Sequence, residues 1–152
     1  MFDVKSFNDS DYETFCHWTE SYGWSGRMPR TALPPIGVVV SGELSRLPMA
    51  MGFLFYIEGC DLCFMDFVVA DPTLPTSRKI LATQQVIKKL QEIAKEKTNN
   101  KGWIYSMSAN KAYIRIAKSQ GFQDAEQEVS TVFYPLSENT ERVGFLCSEV
   151  KE

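Results

Sequence analysis

The sequence predicts one α/β (α+β) domain: a mixed sheet with antiparallel N-terminal strands, a central parallel crossover, and helices on both faces. Three observations predict it. The runs Ile36 to Val40, Met49 to Ile57 and Leu62 to Ala70 are rich in β-branched and aromatic residues, and Gly, Pro and Asp turn signals separate them. A long segment follows with Ile80, Val86, Ile87, Leu90, Ile93 and Ala94 on one helical side. After it Trp103 to Met107 reads as a strand again, and strand, helix and strand in succession imply a right-handed parallel crossover.

The other elements follow from local signals. Phe2 to Phe7 reads as a short strand, after which Asn8, Asp9 and Ser10 offer caps and Ser10 with Glu13 has capping-box spacing. Tyr12, Phe15, Cys16 and Thr19 recur at helical spacing, so a helix over about 11–20 packs one face on the sheet. Residues 21–35 carry Gly23, Gly26, Pro29, Pro34 and Pro35, which is loop composition, with Trp24, Arg27 and Arg30 among them. The Glu58-Gly59-Cys60-Asp61 connection is short enough for an antiparallel hairpin. Alternation along the following strand sets Leu62, Phe64, Asp66, Val68 and Ala70 on one face. The loop from Asp71 to Ser77 ends in good N-cap residues, so the long helix begins near Ser77, and it ends around Thr98 to Gly102. Ala109 to Gln120 reads as a further helix stopped by Gly121, and Val129 to Pro135 as a strand. The domain is placed at residues 1–136. Residues 137–152 form a tail in which Val143 to Cys147 is either an edge strand or an arm on a partner subunit, so monomer and homodimer both stay open.

Composition narrows the class. The length of 152 residues suits one domain with a real core, and 44% hydrophobic residues argue against a disordered or solvating chain. A formal net charge of −3 leaves no broad basic footprint, so nucleic acid is not favoured as a partner. No apolar run is long enough to span a membrane and the N-terminus lacks a secretory pattern, which points to a cytoplasmic chain, or the host cytoplasm if it is phage-encoded. Cys60 and Cys63 make a CxxC, but a zinc site wants further ligands and the sole histidine, His17, lies far off; the pair reads as a turn cysteine and a strand cysteine, with no metal.

A helix N-terminus presents unpaired backbone N–H groups and the positive end of a dipole, a natural seat for an anion such as a diphosphate. Ser77, Arg78, Lys79, Ile80, Leu81, Ala82 and Thr83 make the first turns of the long helix, with two cations beside those amides. By itself this reads as an ordinary capped helix start with solvated cations. The order of elements together with Asn110 followed eleven residues on by Gly121-Phe122 resembles the second signature of the GNAT acyltransferases, and Phe67 to Ala94 resembles their first, where a strand ends and a loop and helix wrap the cofactor pyrophosphate. The chain is similar to short, divergent, phage-borne members. Where the family has Arg-x-x-Gly-x-Gly/Ala, this chain has Arg78-Lys79-Ile80-Leu81-Ala82-Thr83, so both small positions are replaced.

The resemblance implies acetyl-CoA as cofactor, held by the backbone of Phe67, Val68 and Val69, by residues 77–83 and by Asn110, and direct acetyl transfer to an amine on a small molecule or protein. The family's tyrosine, seven residues after the asparagine, is replaced by Ala117; Tyr113, one turn earlier on the same face, is the substitute acid, or else a core aromatic. Asp66 is the candidate base, because a carboxylate inside an apolar strand has a raised pKa; the alternative is a buried structural Asp, and Glu58 is a second choice. Trp24, Arg27 and Arg30 are the candidate acceptor contacts. Two other readings stand beside the enzyme: a non-catalytic binding or structural module on the same fold, and a phage-type nucleic-acid-modifying enzyme.

Overall fold

Three consecutive apolar runs, rich in β-branched and aromatic residues, fold the middle of the chain into an antiparallel meander. A computed structural model describes residues 2–24 and 26–124. Its strands are β1 (Phe2–Ser6), β2 (Ile36–Gly42), β3 (Pro48–Tyr56), β4 (Leu62–Ala70) and β5 (Trp103–Tyr105), and its helices α1 (Tyr12–Ser21), α2 (Thr76–Lys97) and α3 (Lys111–Ser119). The sheet runs in the order β1-β2-β3-β4-β5, antiparallel up to β4 and parallel between β4 and β5. The expected strand over 129–135, the expected edge strand over 143–147 and the boundary at 136 lie outside the described residues.

Two cores flank the sheet. On one face Val86, Ile87, Leu90 and Ala94 of α2 and Ala117 of α3 pack on Val38, Val40, Leu54 and Met65. On the other, Phe15, Cys16 and Trp18 of α1 pack on Val39, Met51, Phe53 and Val69. Phe53 is fully buried, with its ring 4.8 Å from that of Phe7 and 5.3 Å from that of Phe15. Burial of a side chain this size stabilises by about 1.5–3 kcal/mol before the edge-to-face contacts are added.

Several local expectations are corrected. The chain enters α1 through a 3-10 turn at Asp9–Asp11, so the capping box is Asn8 with Asp11 and not Ser10 with Glu13. Asp11 also takes the Lys5 ammonium at 2.8 Å, which ties the start of the helix to β1. Helix α2 begins at Thr76 after Pro75, whose φ of −56° suits a helix entry, and no side chain caps its first amides. Strand β5 stops at Tyr105 and not at Met107, because its partners on β4 are only Leu62, Cys63 and Phe64. Gly102 sets that pairing: at φ +77° it lets Trp103 N–H reach Asp61 O at 2.9 Å, where a Cβ would fall 1.6 Å from the same oxygen. Cys60 lies in the hairpin turn and Cys63 is buried in β4, as the spacing suggested.

Simple alternation on β4 fails in its second half. Met51 pairs with Val69 and Phe53 with Asp66, so one extra residue enters β4 at this point. Phe67 takes up the irregularity at φ +52°, a left-handed conformation that costs a non-glycine residue about 1–2 kcal/mol. Asp66, opposite Phe53, and Phe67, packed on Phe53, therefore both stand on the α1 side, whereas Val68 and Ala70 join the α2 core. Asp66 does not share a face with Val68 and Ala70.

Candidate functional site

Beyond Phe64 nothing on β5 pairs with β4, while β3 goes on pairing with Asp66, Val69 and Ala70. The two parallel strands fork, and the bulge at Asp66–Phe67 sits in the fork. From the other prong the chain passes through Ser106 to Ser108 into α3. Asn110 is the N-cap, its Oδ1 accepting from Ala112 N–H at 2.9 Å and Tyr113 N–H at 3.2 Å, and Ser108 Oγ accepts from Asn110 N–H at 3.0 Å. At the far end Gly121, at φ +92°, closes α3 with paired bonds from Gly121 N–H to Lys118 O and Phe122 N–H to Ala117 O. The Asn110 and Gly121-Phe122 spacing is thus the length of one capped helix whose first turn faces the fork.

A cavity of about 170 Å³ fills the fork, lined by Trp24, Asp66, Phe67, Val68, Ser106, Met107, Ser108, Asn110 and Tyr113. Asp66 opens to solvent at its mouth, yet the surrounding walls strip much of its hydration, and this desolvation raises its carboxyl pKa above the ordinary value. The Phe67 N–H, donating to Asp66 Oδ1 at 2.7 Å, works in the opposite direction. Among the described residues Asp66 Oδ2 has no partner. Tyr113 has its phenol pKa raised, first by burial and further by the charge of Asp66, against a lowering contribution from Ser106, whose Oγ lies 2.7 Å from the Tyr113 hydroxyl.

The structure thus brings Asp66, Tyr113, Phe67, Val68, Asn110 and Trp24 together, and leaves other candidates elsewhere. Val69 is buried in the α1-side core opposite Met51, so only its backbone edge is turned to the fork. Ala82 and Thr83 are buried in α2, while Ile80 and Leu81 are partly exposed. Arg78 and Lys79 do not both stay beside the first amides of α2. Lys79 donates to Pro72 O at 2.7 Å and lies 5.8 Å from the Tyr22 ring, whereas Arg78 lines a separate cavity of about 410 Å³ with Phe2, Leu44, Met49 and Leu81. Successive positions on a helix point about 100° apart, which is why adjacent cations diverge. Arg27 is paired with Glu13 over the Tyr12 ring, and Arg30 with Asp9 over the Phe7 ring, so of the three candidate acceptor contacts only Trp24 reaches the cavity. Glu58 is exposed in the hairpin turn and does not line the cavity. Sequence reasoning missed Ser106, Met107 and Ser108; the one available signal was their place between a strand and a capped helix.

No family model matches the chain, and no curated protein matches it in sequence. Solved structures do match in fold. The chain is similar to a GNAT-family acetyltransferase from Streptococcus pneumoniae, with a TM-score of 0.66 at 12% identity over 90% of this chain and 100% of the other. It is similar to a predicted acetyltransferase from Clostridium acetobutylicum solved with acetyl-CoA, with a TM-score of 0.62 at 13% identity over 87% and 96%. The glucosamine-6-phosphate N-acetyltransferase of Arabidopsis thaliana gives 0.61 at 12% identity over 88% and 99%. The architecture is the GNAT fold, a mixed five-stranded sheet with a forked parallel pair and helices on both faces.

Proposed function

We propose, from a GNAT fold whose fork gathers a carboxylate, a phenol and an unpaired strand edge, that the chain is an N-acyltransferase using acetyl-CoA and an amine acceptor. The observation that carries this reading is the shared cavity of Asp66, Phe67 and Tyr113 at the β4 bulge. The residues fit the cofactor in two respects. The edge of β4 past Phe64 offers main-chain groups of Phe67, Val68 and Val69 for strand-like hydrogen bonding to an amide-containing arm. The first amides of α2 carry no side-chain cap and suit a diphosphate, although Leu81 and Thr83 stand where smaller residues would allow closer approach. Acetyl-CoA, when bound, supplies an activated acyl thioester.

The chain's own groups then divide the proton work. Asp66 Oδ2 faces the cavity free of described partners and takes a proton from the acceptor amine, its raised pKa making it a better base near neutrality. Tyr113, its hydroxyl held by Ser106, is the proton donor on the opposite wall. Trp24 and Phe67, with ring centroids 6.4 Å apart, form an apolar wall beside Asp66.

Acetyl-CoA in a thermal-shift experiment tests the reading. A ligand at 100 times its dissociation constant stabilises the fold by about 2.7 kcal/mol, which moves the melting temperature by several degrees in a domain of this size. The absence of any shift, with no calorimetric heat at millimolar CoA, removes the enzyme and leaves a non-catalytic module. The divergence of Arg78 and Lys79 is the observation that favours that second reading.

A further inference from the structure

The cavity at the fork does not end at its own walls. Phe55 of β3, Phe64 of β4 and Tyr105 of β5 are cross-strand neighbours, register partners on the same sheet face as Asp66. They stay 38%, 40% and 47% exposed, so α1 leaves this part of the sheet uncovered. The Phe67 ring joins this row to the cavity, at 6.3 Å from Phe55 and 6.4 Å from Trp24, and the Phe64 and Tyr105 rings lie 5.9 Å apart. An open aromatic row therefore runs from the outer end of the sheet to the carboxylate.

Charge sharpens the picture. Among the described residues that line the cavity Asp66 alone is charged. Of the cations around the fork, Arg27 and Arg30 are engaged with carboxylates of the α1 region and Lys79 with a loop carbonyl, while Lys111, at the start of α3, is exposed and outside the cavity lining. The residues beyond 124 include only two more cations, Arg142 and Lys151, among six glutamates. An acceptor bearing a carboxylate or phosphate beside its amine would place that anion near Asp66 with no cation in the described cavity lining to offset it, and unpaired like charges in a partly dry site are costly. An ammonium group fits the same place, paired with Asp66 in a cavity that Trp24 also lines.

We infer that the acceptor is a cationic amine carried on an apolar, aromatic-sized body with no anionic group next to the amine. This rests on the acyltransferase reading and names its acceptor class. The ammonium sits at Asp66 and the apolar body lies along Phe67, Phe55 and Phe64. After the ammonium yields one proton to Asp66, the neutral nitrogen forms the bond to the acyl carbon and loses its second surplus proton to solvent. The carbon–sulfur bond breaks, the thiolate takes the Tyr113 hydroxyl proton, and solvent restores the proton on Tyr113 and removes the one on Asp66.

The test separates this inference from the reading beneath it. Acetyl-CoA binding is measured by calorimetry, and CoA release is followed by chromatography with phenethylamine and tryptamine on one side and glutamate and glucosamine 6-phosphate on the other. The expected result is a kcat/KM at least about tenfold higher for the arylalkylamines, the scale on which one misplaced or missing group discriminates. In Phe64→Ser, which removes an exposed ring on the aromatic row, KM for the arylalkylamine rises about fivefold while acetyl-CoA affinity stays constant. Equal or preferred use of the anionic amines overturns the assignment, as does an unmoved KM in Phe64→Ser, or acetyl-CoA binding with no turnover of either class. Failure of acetyl-CoA to bind removes the underlying reading instead.

Discussion

Replacing Asp66 with asparagine isolates its proton chemistry from its structural duty. The side chain accepts the Phe67 N–H through Oδ1 at 2.7 Å, and an asparagine carbonyl accepts the same bond, so the bulge and the φ +52° conformation of Phe67 persist. Lost are the charge and the proton acceptor facing the cavity. A positioned base is worth about 10² to 10⁴ in rate, so kcat falls by that factor, equivalent to about 3–5 kcal/mol of barrier, while acetyl-CoA affinity changes little. The raised pKa also fixes the sign of two pH effects. In the parent protein kcat/KM rises with pH through the Asp66 pKa, and that acidic limb disappears in Asp66→Asn. A carboxyl whose folded pKa lies above its unfolded value binds more protons when folded, so its contribution to stability declines as pH rises from the ordinary carboxylate range through the raised pKa. Asp66→Asn therefore melts no lower than the parent at neutral pH while losing activity. The measurements are steady-state kinetics from pH 5 to 9 and thermal melts at the same pH values. Near-normal turnover with the acidic limb intact would refute the reasoning and make Asp66 a structural carboxylate.

Tyr113→Phe keeps the ring in the α3 side of the core and removes the hydroxyl bonded to Ser106; kcat falls about ten- to a hundredfold, and the alkaline limb set by the raised phenol pKa vanishes from the pH–rate profile. Unchanged alkaline behaviour assigns proton return to solvent. Phe53→Ala empties the centre of the α1-side core, where Phe7 and Phe15 pack edge to face, and lowers stability by about 3–5 kcal/mol in urea unfolding. A loss below about 1 kcal/mol would mean that the neighbouring rings collapse into the space.

Local patterns on the chain determined the elements. Apolar runs rich in β-branched and aromatic residues between turn signals made β2, β3 and β4, the longest period-3.6 segment made α2, and the Asn110 to Gly121 spacing was the cap-to-cap length of α3, because each signal acts over a few residues and needs no partner to be read. The same local signals misread the points where a neighbour overrides them. The cap of α1 moved to Asn8 and Asp11 once Lys5 of β1 lay within reach. Adjacency in sequence could not show that Arg78 and Lys79 leave α2 toward different cavities, nor that Arg27 and Arg30 lie against α1 and the turn before it. The site itself belongs to the tertiary structure. One extra residue in β4 against β3 turns Asp66 to the α1 side, and a β5 only long enough to reach Phe64 opens the fork that Tyr113 and Ser106 enter. Register and pairing length depend on residues far apart in the chain, so they are decided only when the strands dock, and the chemistry of the fork is decided with them.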